Sequence, residues 1–154
     1  MIPTFDDNGH LPAGVHWASW KEFEKRFGTN TYRKKLLAGL KKVAANLSAA
    51  NCQALYVDGS FVTSKEHPND FDACWSIIGV NFDLVDPVLL DRNDFENGRK
   101  KQKAKFGGEL FPAEMIEGSS GKPFLEFFQT DRDGKPKGIV GIKLKPAAAR
   151  KKKT

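Results

Sequence analysis

The strongest constraint on the fold is a change in hydrophobic spacing about one third of the way along the chain. Before residue 50, apolar residues recur at the three- and four-residue spacing of a helix. These residues are Leu36, Leu40, Val43 and Leu47. After residue 50, apolar residues form short runs closed by turn residues, such as 54–57 before Gly59. This order predicts an α+β (or α/β) fold, in which N-terminal helices pack on one face of a mixed β-sheet.

Turn residues and charge divide the chain into three predicted parts. Residues 1–17 contain two prolines and two glycines, and we expect them to form an irregular N-terminal arm. Residues 18–145 form the predicted domain, and the basic residues 146–154 form a tail that we expect to be disordered. Within the domain we predict helices at 20–27 and 30–49, strands at 54–57, 70–78, 124–129 and 138–144, and loop and helix at 83–106.

Length and composition exclude several classes of protein. A chain of 154 residues is long enough for one domain with a sizeable core. It has no apolar run close to the roughly 18 to 20 residues that span a bilayer, and residues 1–7 lack the basic and apolar regions of a signal peptide. Its two cysteines, Cys52 and Cys74, are too few for a disulfide framework. We therefore expect a soluble, cytoplasmic protein that does not bind a membrane.

The positive net charge belongs to the C-terminal end of the chain. The whole sequence carries +6, with 25 basic and 19 acidic residues. Residues 134–154 contain eight basic and no acidic residues, so residues 1–133 hold 17 basic and 19 acidic groups, a net charge of −2. A basic balance indicates an anionic partner such as nucleic acid. One alternative function is therefore nucleic-acid binding by the C-terminal tail.

One stretch contains residues suited to binding a nucleotide. Gly59 and Ser60 follow a predicted strand, and Asp70 and Asp72 stand at the start of the next one. Side chains alternate along a strand, so the two carboxylates lie on one face and repel each other unless a cation lies between them. Mg²⁺ prefers such oxygen ligands and keeps sites free for phosphate, while a glycine lets the backbone approach a phosphate closely. The spacing predicts a site for a metal-bound nucleoside triphosphate.

These residues resemble a signature of known enzymes. Gly59-Ser60 followed by Asp70-Phe71-Asp72 is similar to the motif of the polymerase-beta-like nucleotidyltransferase superfamily, especially its minimal nucleotidyltransferases. The chain also resembles small uncharacterised bacterial members of that fold. The resemblance implies a nucleotidyltransferase-like sheet and two Mg²⁺ ions, with Mn²⁺ as an alternative. It also implies Asp70 and Asp72 as catalytic residues and metal ligands, with a third carboxylate from a later strand, for which Glu126 fits best.

The resemblance also implies a reaction and a context. An acceptor hydroxyl on a protein or RNA attacks the α-phosphate of an NTP, and the NMP is transferred. Small members of the superfamily often act in bacterial toxin–antitoxin or defence modules, which implies a toxin or antitoxin partner. Asp58 departs from the pattern, because the residue before Gly-Ser is usually apolar. It either adds a ligand or marks an altered site, and the alternative is a catalytically inactive, antitoxin-like binding module.

Basic residues have two interpretations. Arg99 and Lys103 lie four residues apart on a predicted helix, where they share a face. Their positive charges are suited to neutralising a triphosphate that Gly59 and Ser60 also bind. A solvated helix face explains them equally simply. The lysines of the longer helix, Lys34, Lys35, Lys41 and Lys42, are interpreted as a solvated face.

Overall fold

The fold is a five-stranded mixed sheet with helices, as the hydrophobic spacing predicts. The structure is a computed structural model that describes residues 1–145, so the predicted tail at 146–154 lies outside the described residues. The strands are β1 (Gly14–Trp17), β2 (Ala54–Asp58), β3 (Phe71–Trp75), β4 (Gly108–Pro112) and β5 (Gly138–Lys143). The helices are α1 (Trp20–Phe27), α2 (Thr31–Ala49), α3 (Arg92–Glu96), α4 (Lys100–Phe106) and α5 (Phe124–Phe127). None of these helices is long and apolar enough to cross a membrane.

The sheet has the strand order β1-β5-β2-β3-β4. β2 lies at its centre and pairs antiparallel with β3 and β5, whereas the outer pairs β1–β5 and β3–β4 are parallel. The C-terminal end of β2 therefore lies beside the N-terminal ends of β3 and β4. Residues at these ends of the three strands therefore lie close together.

The two N-terminal helices begin and end at the residues that capping chemistry favours. The Ser19 hydroxyl accepts the N–H of Glu22 (3.1 Å) before α1, and the Asn30 side chain accepts the N–H of Arg33 (2.8 Å) before α2. Gly28 ends α1. The predicted helices at 20–27 and 30–49 are thus confirmed.

The core lies between α1, α2 and one face of the sheet, here called the helix face. Its side chains come from α2 (Leu40, Val43, Leu47), β2 (Leu55, Val57) and β3 (Phe71, Ala73, Trp75), all of them buried. Alternation along each strand places the intervening residues on the opposite face. That second face carries the polar residues at the strand ends, and α5 packs on it through Phe124, Leu125 and Phe128.

The structure differs from the prediction at three places: residues 124–129, the end of the N-terminal arm, and β4. The strand predicted at 124–129 is wrong, because this stretch forms α5, whose apolar residues cover the second face. A short apolar run does not distinguish a strand from a helix, and here Phe124, Leu125 and Phe128 pack against the sheet while remaining partly exposed. The last residues of the predicted irregular arm form β1 beside β5. The strand β4 was missed, because only Leu110 and Phe111 are apolar between two glycines and a proline.

Gly39 allows α2 and α4 to come into backbone contact. A Cβ atom at this position would lie 1.8 Å from the Phe106 carbonyl oxygen, far inside any allowed contact. Gly39 weakens α2 by about 1 kcal/mol relative to alanine, and the close helix contact is the reason for that cost. The contact fixes α4, and the strand that follows it, against the core.

We expect Gly39→Ala to destabilise the protein by about 1–2 kcal/mol, since the clash with Phe106 outweighs the gain in helix propensity. Urea denaturation measures this change. Gly118→Ala is the matched control, because nothing lies within 4 Å of a Cβ added there. Equal stability of the two variants would contradict the proposed backbone contact.

Candidate active site

A row of three carboxylates crosses the second face of the sheet. Asp58 on β2 is the register partner of Asp72 on β3, and Asp72 is in turn the partner of Glu109 on β4. Asp70 lies two residues before Asp72, just outside β3. Like charges directly opposite each other in a sheet are destabilising. The structure thus confirms that Asp70 and Asp72 lie together, and it adds Asp58 and Glu109 to them.

Lysines neutralise the two outer carboxylates of the row. Lys137 Nζ lies 3.3 Å from Asp58 Oδ1, and Lys103 Nζ lies 3.0 Å from Glu109 Oε1. Within residues 1–145 the central Asp72 has no ion-pair partner. Burial, followed by the charges of Asp70, Asp58 and Glu109, raises the pKa of Asp72 to about 7. Burial also raises the pKa of Asp70 and of Asp58, the latter in spite of Lys137.

Gly59 brings the backbone against the central carboxylate. Its φ angle is +80°, a conformation that side chains disfavour, and a Cβ there would lie 2.7 Å from Asp72 Oδ2. Ser60 begins a 3₁₀ turn at Ser60–Val62 directly after it. The predicted pair Gly59-Ser60 therefore lies beside Asp72, as the spacing along the chain predicts.

Two members of the row, Asp58 and Asp72, line a cleft of about 810 Å³, whereas Glu109 and Asp70 do not line it. Its floor includes Asp58, Gly59, Ser60 and Asp72, and its walls come from residues 8–11, 62–65, 127–132 and 137–138. Three cations line it, Lys65, Arg132 and Lys137. Residues 8–11 belong to the predicted irregular arm, which is fixed here because the Ser64 N–H donates to the Gly9 carbonyl (2.9 Å). The wall formed by residues 8–11 is not among the features predicted from the sequence.

A buried arginine holds the loop that forms another wall. Arg33 of α2 is 3% exposed and donates to the carbonyls of Phe61 (2.7 Å), Thr63 (2.8 Å) and Lys65 (3.1 Å from Nε). Desolvation lowers its pKa, and no carboxylate within residues 1–145 pairs with it. Arg33 lies on the apolar stripe of α2, three residues before Leu36. This position is the sequence signal of its burial, and it was not used in the prediction.

The two predicted cations do not share a helix face. Arg99 precedes α4 in a left-handed conformation (φ 55°), and its guanidinium lies 4.0 Å from the Phe111 ring centre and 4.7 Å from that of Phe95. The prediction that places Arg99 and Lys103 together on a helix is therefore wrong. Lys103 does lie at the carboxylate row, through its ion pair with Glu109.

Glu126 does not lie on a strand. It is exposed on α5, and its side chain forms no hydrogen bond or ion pair within the described part of the chain. The position of a third carboxylate, on a strand beside Asp72, belongs to Glu109. The buried Gln102 of α4 secures that strand, because its Oε1 accepts the N–H of Leu110 (2.8 Å).

The carboxylates fit a magnesium ion in chemistry but do not form a complete cage. All the donors are oxygens, and the repulsion around Asp72 favours a cation. In residues 1–145, however, no three Asp, Glu, His or Cys side chains are placed to hold a metal ion. Mg²⁺ is commonly held by one or two carboxylates together with water and substrate phosphates. Asp70 and Asp72 suit that mode of binding.

Comparison with known proteins gives one match. A model for a family of unknown function, DUF6932, matches residues 3–143. The chain belongs to this family. The DUF6932 match runs from the N-terminal arm to β5 and so includes every residue of the carboxylate row and cleft named above. No curated protein and no solved structure matches the chain significantly.

We expect Asp72→Asn to stabilise the protein at pH 8, by on the order of 2 kcal/mol. The pKa of Asp72 is raised from 3.8 to about 7, so the folded state holds this proton more tightly than the unfolded chain. The free energy of unfolding of the wild type therefore falls as the pH rises from about 4 to 7. In Asp72→Asn this decrease is absent. Denaturation at pH 4 and pH 8 measures it, with the exposed Asp7→Asn as control. A pH-independent difference between Asp72→Asn and wild type would contradict the assignment.

MgCl₂ is expected to raise the melting temperature of the wild-type protein, by an amount that grows with the logarithm of its concentration. The Asp70→Ala/Asp72→Ala variant should show no such increase, and Glu126→Gln should respond like wild type. Thermal unfolding with and without EDTA measures these shifts. The same shift in all three proteins would mean that Mg²⁺ does not bind at Asp70 and Asp72.

Proposed function

We propose that the protein is a Mg²⁺-dependent nucleotidyltransferase that moves an NMP from an NTP to a hydroxyl group on an acceptor. The observation that supports this proposal is the pair Asp58 and Asp72, which line the large cleft beside Gly59-Ser60 and stand in register with Glu109. The resemblance of Gly59-Ser60 and Asp70-Phe71-Asp72 to the polymerase-beta-like superfamily favours the same activity.

The cleft suits a nucleoside triphosphate in size and in charge. Its volume of about 810 Å³ lies within the range of small-molecule sites. Lys65, Arg132 and Lys137 supply positive charge beside the carboxylates Asp58, Asp72 and Asp131 that also line the cleft, and Ser60 adds a hydroxyl donor. Such groups bind phosphate oxygens, so the triphosphate is placed near Asp72.

The proposed reaction forms a bond between the acceptor oxygen and the α-phosphorus. The bond from that phosphorus to the bridging oxygen breaks, and pyrophosphate leaves. When bound, Mg²⁺ supplies charge neutralisation at the phosphates. The acceptor hydroxyl loses its proton to water, and Asp70 and Asp72 are the residues that would hold the Mg²⁺ ion. Lys65 and Lys137 hold the triphosphate in place, and such positioning supplies much of the rate.

The rival function is a catalytically inactive binding module. The ion pairs of Lys137 with Asp58 and of Lys103 with Glu109 favour it, because they neutralise two of the carboxylates without a metal. By the resemblance stated above, either function fits a toxin–antitoxin or defence module, in which the protein modifies or binds a protein or RNA partner.

Labelling with each α-³²P NTP in the presence of Mg²⁺ and cell extract distinguishes the two functions. We expect wild type to transfer label, and Asp70→Ala/Asp72→Ala to lower the rate by on the order of 100-fold or more. Glu109→Gln should also impair transfer, while Glu126→Gln, on the exposed face of α5, should leave it unchanged. This pair of conservative variants identifies the third carboxylate. Equal labelling by wild type and the double variant would contradict the proposed activity.

A further inference from the structure

A second opening lies beside the carboxylate row. It is a groove of about 390 Å³ between α2 and α4, here called the α2–α4 groove. Its polar lining consists of Tyr32, Lys35, Asn69, Lys103 and Lys105. The large cleft shares none of these residues, so the two openings are separate sites.

The fold creates this groove from two basic segments that are distant in sequence. α2 supplies Tyr32 and Lys35, and α4 supplies Lys103 and Lys105. The close contact at Gly39, where no side chain fits against Phe106, brings the two helices together. The lysines of α2 interpreted as a solvated face are all exposed, and Lys35 in addition lines this groove.

The charge of the groove is positive. Lys35 has no ion-pair partner within residues 1–145. Lys103 pairs with Glu109 and Lys105 with Asp86, yet their side chains remain 41% and 43% exposed. As described within residues 1–145, the lining holds three lysines and no acidic residue. Glu109 and Asp86 pair with two of these lysines, and Asp70 and Asp72 also act on Lys103. All three lysines are accessible to an anion in solution.

An exposed aromatic ring stands at the same groove. Tyr32 is 47% exposed, and its ring lies 5.3 Å from that of His67 in a T-shaped arrangement. Lysines along a groove together with an exposed aromatic ring are the combination that binds single-stranded nucleic acid, through phosphates and base stacking. An acidic peptide would use the lysines but has no need of the ring.

The groove is connected to the carboxylate row through Lys103. Asn69 lines the groove and Asp70 follows it in the chain, while Lys103 contacts Glu109. The Lys103–Glu109 ion pair of 3.0 Å is the direct contact between the groove and the row.

We propose that the α2–α4 groove binds a single-stranded nucleic acid, which supplies the acceptor hydroxyl. The acceptor role rests on the proposed nucleotide transfer, whereas the binding does not. The strand would lie along Lys35 and Tyr32, with its reactive hydroxyl directed past Lys103 towards the carboxylate row, while the NTP occupies the cleft.

Fluorescence anisotropy of the full-length protein with a labelled oligouridylate of about 12 nucleotides tests the binding, and oligothymidylate distinguishes RNA from DNA. We expect Lys35→Glu to weaken binding about tenfold and to lower the slope of log K against log salt by about 0.7 or more. Tyr32→Ala should weaken binding by about 5- to 100-fold through lost stacking. Lys34→Glu is the matched control, because Lys34 is an equally exposed neighbour that does not line the groove.

Several outcomes would overturn this inference. Equal loss of binding in Lys34→Glu and Lys35→Glu would assign the affinity to general charge, including that of the basic tail. Absence of wild-type binding to both oligonucleotides, or NTP label transferred only to protein, would also reject it. Conversely, binding that depends on Lys35 and Tyr32 without any label transfer would support the groove and reject the nucleotide transfer, so the two proposals fail separately.

Discussion

The repulsion among Asp58, Asp72 and Glu109 is the constraint on which the rest of the site depends. Three carboxylates in register on neighbouring strands oppose folding of the sheet, and only the outer two have lysine partners. The central Asp72 remains uncompensated by an ion pair within residues 1–145, and its pKa is raised to about 7. The unpaired charge of Asp72 favours the binding of a cation or a proton at this site. Either one can take part in phosphoryl transfer.

The surrounding structure holds this arrangement in place. Arg33 fixes the loop that follows Gly59-Ser60 through carbonyl hydrogen bonds, at the cost of burying a charge. Gln102 and the Gly39 contact fix α4 and β4, and therefore Glu109. None of these three residues belongs to the carboxylate row. They illustrate how buried polar groups outside a site position the groups within it.

Sequence reasoning located part of the site and missed the rest for a clear reason. Asp70 and Asp72 are close in sequence to Gly59-Ser60, so local strand geometry was enough to predict their proximity. Glu109 was missed because β4 has almost no hydrophobic pattern of its own, and it pairs with β3 from more than thirty residues away. The choice of Glu126 rested on reading 124–129 as a strand, although packing against the sheet makes it a helix.

The sequence by itself determined α1, α2, the central strand β2 and the motif residues, because helical spacing, caps and turn residues act over a few positions. It also determined that the excess positive charge belongs to the C-terminal end. Only the tertiary structure decided the third carboxylate, the arm as a wall of the cleft, and the meeting of Lys35 with Lys103. Those features depend on contacts between distant segments, and a chain specifies them through packing of the whole core rather than through local pattern.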